Sequence, residues 1–229
     1  MNHDSIFKET IRDRLNRDKM VDQLIRDGFL KNPAVIQAFR RVPRHGFVDA
    51  AFQSRAYSDT HLPIGCDQTI SKPSTVARMT ELLMVCPDHR VLEIGTGCGY
   101  QTAILAGMCR KVYSVEWHSQ LVNAARKMMT QLEYPTVRID QGDGSQGWPS
   151  AAPFDRIIFT AGAPTIPEPV CYQLVDGGIL IVPVGPRRQQ ELVRIIRSDA
   201  ENDVIFDVSY HGSCEFVDLV GKNGWMSTT

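Results

Sequence analysis

The sequence predicts an α/β fold built on a doubly wound, mostly parallel sheet. Three observations carry that prediction. Short apolar or alternating runs recur at Val91 to Ile94, Lys111 to Glu116, Thr136 to Asp140, Phe154 to Thr160 and Ile179 to Val184, each bounded by Gly, Pro or polar residues. Helical stretches separate most of them, and strand-helix alternation implies parallel pairing through right-handed crossovers. Finally, Gly95, Gly97 and Gly99 follow the first run immediately before the helix-compatible segment Tyr100 to Ala106.

The bulk numbers narrow the class. A chain of 229 residues can form one large domain with a sizeable core, and 43% hydrophobic with 22% charged residues is ordinary for a globular protein. A net charge of -1 gives no general attraction for phosphate backbones or anionic membranes, so neither nucleic acid nor membrane is expected as a partner. The six cysteines show no Cys-x-x-Cys or finger-like spacing, so they read as free thiols and no metal site is expected. The polar start, Met1 to Glu9, lacks the apolar segment of a secretory signal, and no run is long enough to span a bilayer. A cytoplasmic monomer is expected.

Taken in order, Ser5 to about Asp27 places Phe7, Ile11, Leu15, Met20, Leu24 and Ile25 near helical spacing, one or two amphipathic helices. Gly28 ends that run, and Pro33 opens a further short helix through Arg40. The basic residues Arg40, Arg41 and Arg44 read more readily as a solvated helix end than as an anion contact. Residues 1–56 are therefore expected to be a helical extension packed on a single domain spanning 57–229.

Residues 57–75 hold two prolines, a glycine and many small polar groups, with Leu62, Ile64 and Ile70 embedded. They predict a long ordered loop, and such loops inside compact domains are usually functional. Ser71 or Ser74 can cap the helix that begins near Pro73; for Ser71, capping and a role in chemistry stand level on this reading alone.

Beyond the glycine turn, the strand Lys111 to Glu116 stops on an acid, 21 positions after Gly95 (116 - 95). That is close to the offset at which nucleotide-binding folds set a carboxylate on ribose hydroxyls, where one carboxylate accepts from both members of a diol. Ser119 to Glu133 predicts a helix, and Gln141-Gly-Asp-Gly144 a polar turn in which Asp143 either shapes the turn or accepts from an adenine amino group. The Pro-rich segment 163–169 is expected to lead into a helix ending at Asp176-Gly-Gly178. Glu191 to Arg197, Val204 to Tyr210 and Cys214 to Leu219 predict three closing strands, adding antiparallel edges.

Two kinds of cofactor suit a glycine turn followed by an acid: a dinucleotide such as NAD, and S-adenosylmethionine. Dinucleotide folds space their glycines Gly-x-Gly-x-x-Gly near the start of the domain, so that a helix N-terminus faces a pyrophosphate. Here the spacing is Gly-x-Gly-x-Gly, Glu93 precedes it by two, and Asp143 adds a third acid at a third strand end. A molecule with a diol, an adenine and an amino-acid head but no phosphate fits better, which favours S-adenosyl-L-methionine.

Longer motifs are more specific. Leu62-Pro-Ile-Gly65 with Gln68-Thr-Ile-Ser71, Val91-Leu-Glu-Ile-Gly-Thr-Gly-Cys-Gly-Tyr-Gln101, Gly142-Asp-Gly144 with Gly147-Trp-Pro149, Phe154-Asp-Arg-Ile-Ile158, Ile166-Pro-Glu-Pro169 and Pro183-Val-Gly185 occur in that order. Together they resemble the protein-L-isoaspartate O-methyltransferases, over roughly residues 40–197. The resemblance implies a Rossmann-like methyltransferase fold and methyl transfer to the α-carboxylate of L-isoaspartyl residues in damaged proteins and peptides. By position it implies Ser71 as the active-site serine and Gln68, Thr69 and Ile70 as a loop covering the cofactor. Glu93, Gly95, Thr96 and Gly97 are implied around the glycine turn, Glu116 and Trp117 at the ribose, and Asp143 with Gly144 on the adenine side.

The chain departs from the family pattern at three places. Asp67 stands where a glycine usually precedes Gln68, and Glu215 and Asp218 stand in a segment that is typically Arg-Phe-Val-Pro-Leu-like. If those acids face an anionic acceptor they repel it. A relative that methylates another carboxylate or a hydroxyl, such as a peptide natural product, is the second expectation.

Overall fold

Five-residue β3 (Arg90–Ile94) is buried on both faces from Val91 onward, as a strand flanked by other strands and covered by helices must be. In the computed structural model, which describes residues 9–201 and 203–226, it is the third strand of a seven-stranded sheet of order β5-β4-β3-β6-β7-β8-β9. Its neighbours β4 (Lys111–Glu116) and β6 (Phe154–Phe159) run parallel to it. Outside them lie β5 (Val137–Gln141) and β7 (Leu174–Val184), also parallel. The long strands β8 (Gln190–Ala200) and β9 (Asp203–Cys214) close the sheet antiparallel, as expected for the C-terminal edge.

The chain leaves β3 for β4 on one side and returns through β6 on the other. The carboxyl ends of β3 and β6 therefore flank the point where strand order reverses, the place where open α/β sheets form a crevice.

The N-terminal helices join the same apolar core. α1 (Ile11–Arg26) starts on a Thr10/Asp13 capping box, and α2 (Pro33–Arg41) starts at Pro33 with Asn32 as its cap. Phe39 meets Tyr100 edge-on, 6.4 Å between ring centroids. The predicted inward face of α1 is only half right. Met20 and Leu24 are buried, with Val21 and Arg17, but Ile11, Leu15 and Ile25 are exposed. The predicted start at Ser5, and Phe7, lie outside the described residues, as do 227–229.

Four further expectations change. The loop over 57–75 contains an antiparallel ribbon, β1 (Leu62–Gly65) paired with β2 (Gln68–Ile70). Its tip is Cys66-Asp67, both left-handed at φ 51° and 55°, so Asp67 occupies a conformation that aspartate tolerates better than most residues. Neither serine caps α3 (Pro73–Leu83): Lys72 is the capping position with no side-chain bond, and Asp59 takes the role by accepting from Ser74 N and Oγ, each at 2.8 Å. The helix expected to end at Asp176 is one turn, α6 (Glu168–Cys171), because β7 already begins at Leu174 and absorbs Gly177 (φ 71°) where its register against β6 shifts. Cys214 to Leu219 is not a strand; Cys214 ends the edge strand β9, and the segment beyond it turns back across the carboxyl ends of the strands to a bridge between Asp218 and Gly162, just after β6.

Candidate active site

The glycine turn links β3 to α4 (Tyr100–Ala106), and Gly95 in it has no room for a side chain. Gly95, Gly97 and Gly99 sit at φ 97°, 55° and 90°, where a Cβ is strained. A Cβ on Gly95 would stand 2.4 Å from Thr160 Oγ1, and one on Gly97 would stand 3.2 Å from Ile64 Cδ1 of the β1–β2 ribbon. Thr160, at the end of β6, also donates to Ile94 O at 3.0 Å. The turn is thus pressed between the ribbon and the neighbouring strand, leaving bare backbone facing the crevice.

Glu116, buried at the end of β4, holds this turn. Its Oε2 accepts the Gly97 N–H at 2.9 Å and its Oε1 accepts the His118 N–H at 2.9 Å. A carboxylate has about four acceptor positions, so two remain for the hydroxyls of a diol. Trp117, 43% exposed, stands beside it.

One cleft, open to solvent, gathers most of the residues singled out in the sequence: Gln68, Thr69, Ile70 and Ser71 on one wall, Gly95, Thr96, Gly97, Glu116 and Trp117 opposite, and Gly144 deeper in. Gly144 packs so closely on Ile94 that a Cβ there would lie 2.5 Å from Ile94 Cγ2. The ribbon explains the placement of the first group. Ile70, buried, anchors β2, and the chain must then turn into α3, which exposes Ser71 at the rim of the cleft.

Two expected cofactor contacts lie elsewhere. Glu93 shares the parity of Val91 along β3, so it faces α4 beneath the glycine turn and not the cleft. It is fully buried and accepts on Oε2 from Thr102 Oγ1 at 2.5 Å and Ser114 Oγ at 2.7 Å; Ser114 Oγ in turn bonds Thr96 Oγ1 at 2.6 Å. Burial, only partly countered by these bonds, pushes its carboxyl up to about 8, so near neutral pH it is protonated. It supports the turn through Ser114. Asp143 is also committed to the protein. Burial opposes its charge, but bonds from Lys222 N, Ser145 and Gln146 outweigh it and hold its carboxyl below the usual range. Oδ1 accepts from Ser145 N and Oγ, and Oδ2 from Gln146 Nε2 and Lys222 N. With both oxygens engaged twice within the protein, Asp143 shapes this turn, the first of the two roles its sequence position suggested.

Residues the sequence reading missed complete the walls: Thr160, Tyr100, His118 and the segment Phe216 to Val220. That last segment is laid along the cleft by Gly162, which donates to Val217 O at 2.7 Å and accepts from Leu219 N at 2.9 Å. Arg44, read as part of a solvated helix end, is instead wholly buried behind the serine, with Nη2 donating to Ser71 O at 2.7 Å. Asp218 is paired with Arg187 at 2.8 Å, which cancels the charge that set it apart. Glu215 and Asp67 are exposed beside the outer part of the same opening.

The residues fit an adenosyl sulfonium compound. The turn offers backbone without side chains, Glu116 offers free acceptors at a buried position, and Ile64, Ile70 and Trp117 offer apolar faces, while among the described residues no lysine or arginine lines the inner cleft to mark a phosphate site.

Known proteins agree with this geometry. The sequence model of the family Protein-L-isoaspartate(D-aspartate) O-methyltransferase (PCMT) matches residues 15–224. The protein-L-isoaspartate O-methyltransferase of Syntrophus aciditrophicus is 47% identical over 209 residues, 91% of this chain and 95% of that protein. The one from Desulfotalea psychrophila is 45% identical over 216 residues, 94% and 97% of the two chains. A solved protein-L-isoaspartate O-methyltransferase superposes with TM-score 0.81 at 29% identity, covering 90% of this chain and 66% of its own. A Plasmodium falciparum structure described as a protein-L-isoaspartate O-methyltransferase, in complex with S-adenosyl-L-homocysteine, shares the fold at TM-score 0.75 and 24% identity, covering 88% and 97%. This chain belongs to the protein-L-isoaspartate (D-aspartate) O-methyltransferase family.

Proposed function

We propose that this protein transfers a methyl group from S-adenosyl-L-methionine to the free α-carboxylate of L-isoaspartyl residues in damaged proteins and peptides. The observation that carries the reading is the single cleft in which the Glu116-braced glycine turn faces Ser71. Relatives at 45–47% identity are named for the isoaspartyl reaction, and nothing in the cleft favours the other acceptors considered from sequence.

When bound, the cofactor supplies an electrophilic methyl on a sulfonium. Glu116 would hold the ribose hydroxyls, the backbone of Gly95 to Gly97 would admit the amino-acid portion, and Gln68 to Ile70 would cover it. The acceptor carboxylate is already ionised near neutral pH, so no general base is required. Ser71 Oγ, at the rim of the cleft, would donate a hydrogen bond to one carboxylate oxygen and so orient the acceptor for transfer. Such alignment can contribute roughly 7 to 11 kcal/mol in favourable cases, and Ile64, Ile70 and Phe216 keep water from the reacting atoms. In the ester product, the backbone nitrogen of the following residue attacks the ester carbonyl, methanol leaves, and the succinimide hydrolyses in part to normal aspartate.

On this reading the protein works as a cytoplasmic monomer, with residues 1–56 an extension of one domain. No helix among the described residues is long and apolar enough to cross a membrane. The test is conversion: an isoaspartyl peptide incubated with the protein and S-adenosyl-L-methionine should give the aspartyl peptide over repeated cycles, followed by chromatography. No conversion and no esterification would refute it.

A further inference from the structure

We propose that Arg44 is a positioning residue of this transfer: it fixes Ser71 through the main chain, and its buried charge draws the acceptor carboxylate to the serine. The inference rests on the function proposed above and concerns how the acceptor is held.

Arg44 is 0% exposed. Its Nε donates to Ala56 O at 2.8 Å, and its Nη2 donates to Ser71 O at 2.7 Å, with a longer contact to Thr60 O at 3.4 Å. Its Cζ lies 4.9 Å from the centroid of the Tyr100 ring. Every one of these partners is uncharged. Among the described residues no carboxylate lies within ion-pair distance of it, and Asp59, whose charge it feels, is bonded to Ser74 N and Oγ.

Burying a guanidinium without a counter-ion is costly, and a charge in such surroundings acts far more strongly than in water. Three carbonyls from separate turns could be bridged by neutral donors, so their hydrogen bonds alone do not call for a full charge. The anion that would compensate it belongs to the acceptor: of the groups against Arg44, Ser71 and Tyr100 line the cleft. Two separable effects follow. The rigid fork of donors fixes the main chain that carries Ser71, and with it the position from which its hydroxyl reaches the cleft, and so governs kcat. The charge favours a carboxylate over a neutral group of the same shape and so governs acceptor affinity.

The test compares binding of two peptides to the protein saturated with S-adenosyl-L-homocysteine: one isoaspartyl, the other its α-carboxamide counterpart, equal in shape but uncharged. Calorimetry on wild type should show the carboxylate peptide bound at least tenfold more tightly. Arg44→Met should bring the two within about twofold. Arg44→Lys keeps the charge but not the fork, so it should retain most of the preference while kcat falls tenfold or more. A merely structural arginine would weaken both peptides alike. Absence of the preference in wild type overturns the inference even if the methionine variant fails to fold, and so does a preference that survives Arg44→Met. Failure of wild type to methylate any isoaspartyl peptide would instead refute the proposed function, so the two failures are distinguishable.

Discussion

Glu116 accepts the Gly97 N–H at 2.9 Å, and this bond ties the end of β4 to the turn that leaves β3. On the proposed function the same carboxylate would hold a ribose diol, which would make cradle and ribose acceptor one unit. Charge-assisted hydrogen bonds contribute about 1.5–3 kcal/mol. Glu116→Gln should therefore weaken S-adenosyl-L-homocysteine binding roughly 10- to 100-fold by calorimetry. Unchanged affinity would remove Glu116 from the site.

Ser71 makes its structural bond through its carbonyl, not its hydroxyl, and it does not cap α3. Ser71→Ala should thus fold normally and bind cofactor as wild type does, while kcat for an isoaspartyl peptide falls by one to three orders of magnitude, against the roughly 10²- to 10³-fold lost when one oxyanion-hole donor is removed. Equal loss of cofactor affinity and rate would indicate a structural role instead.

Glu93 couples stability to pH. Burial raises its folded carboxyl to about 8 from the ordinary 4.5, so between those values the folded state holds a proton that the unfolded state has released. Stability from this group is full below about 4.5 and is lost as pH rises toward 8, with a limiting slope of about 1.4 kcal/mol per pH unit. Urea unfolding at pH 5, 6.5 and 8 should show wild type losing stability relative to Glu93→Gln, whose amide carries no such proton. Parallel pH profiles would contradict the buried neutral carboxyl.

The two acids of the C-terminal segment should behave differently. Asp218 is neutralised by Arg187 at 2.8 Å, so Asp218→Asn should change kcat/KM for an isoaspartyl peptide by less than about threefold. Glu215 is exposed and has no ion pair among the described residues. Glu215→Gln should raise kcat/KM by up to about fivefold at low salt, an effect that fades near physiological ionic strength. A gain that is insensitive to salt would show that the charge is not its cause.

These distinctions follow what a sequence can and cannot display. The parallel strands were legible because burial on both faces leaves an apolar run, and Gly95, Gly97 and Glu116 were legible because backbone strain and strand length fix their spacing. Glu93 was misplaced because a motif gives position along a strand, while parity decides which face a side chain joins. Arg44 could not be told from a surface arginine, since its burial depends on carbonyls of residues 56, 60 and 71 converging from separate turns. Gly177 and Gly178 look like a helix end, yet serve an irregularity inside β7. On α1, Ile11 and Leu15 have the right spacing but the wrong phase, set by the packing of Met20, Val21 and Leu24.

The most direct measurement uses methyl-labelled S-adenosyl-L-methionine and two peptides that differ only in one isoaspartyl or aspartyl linkage. The account predicts base-labile label on the isoaspartyl peptide alone, abolished or strongly reduced by Ser71→Ala. Equal labelling of both peptides, or base-stable label on either, would contradict it.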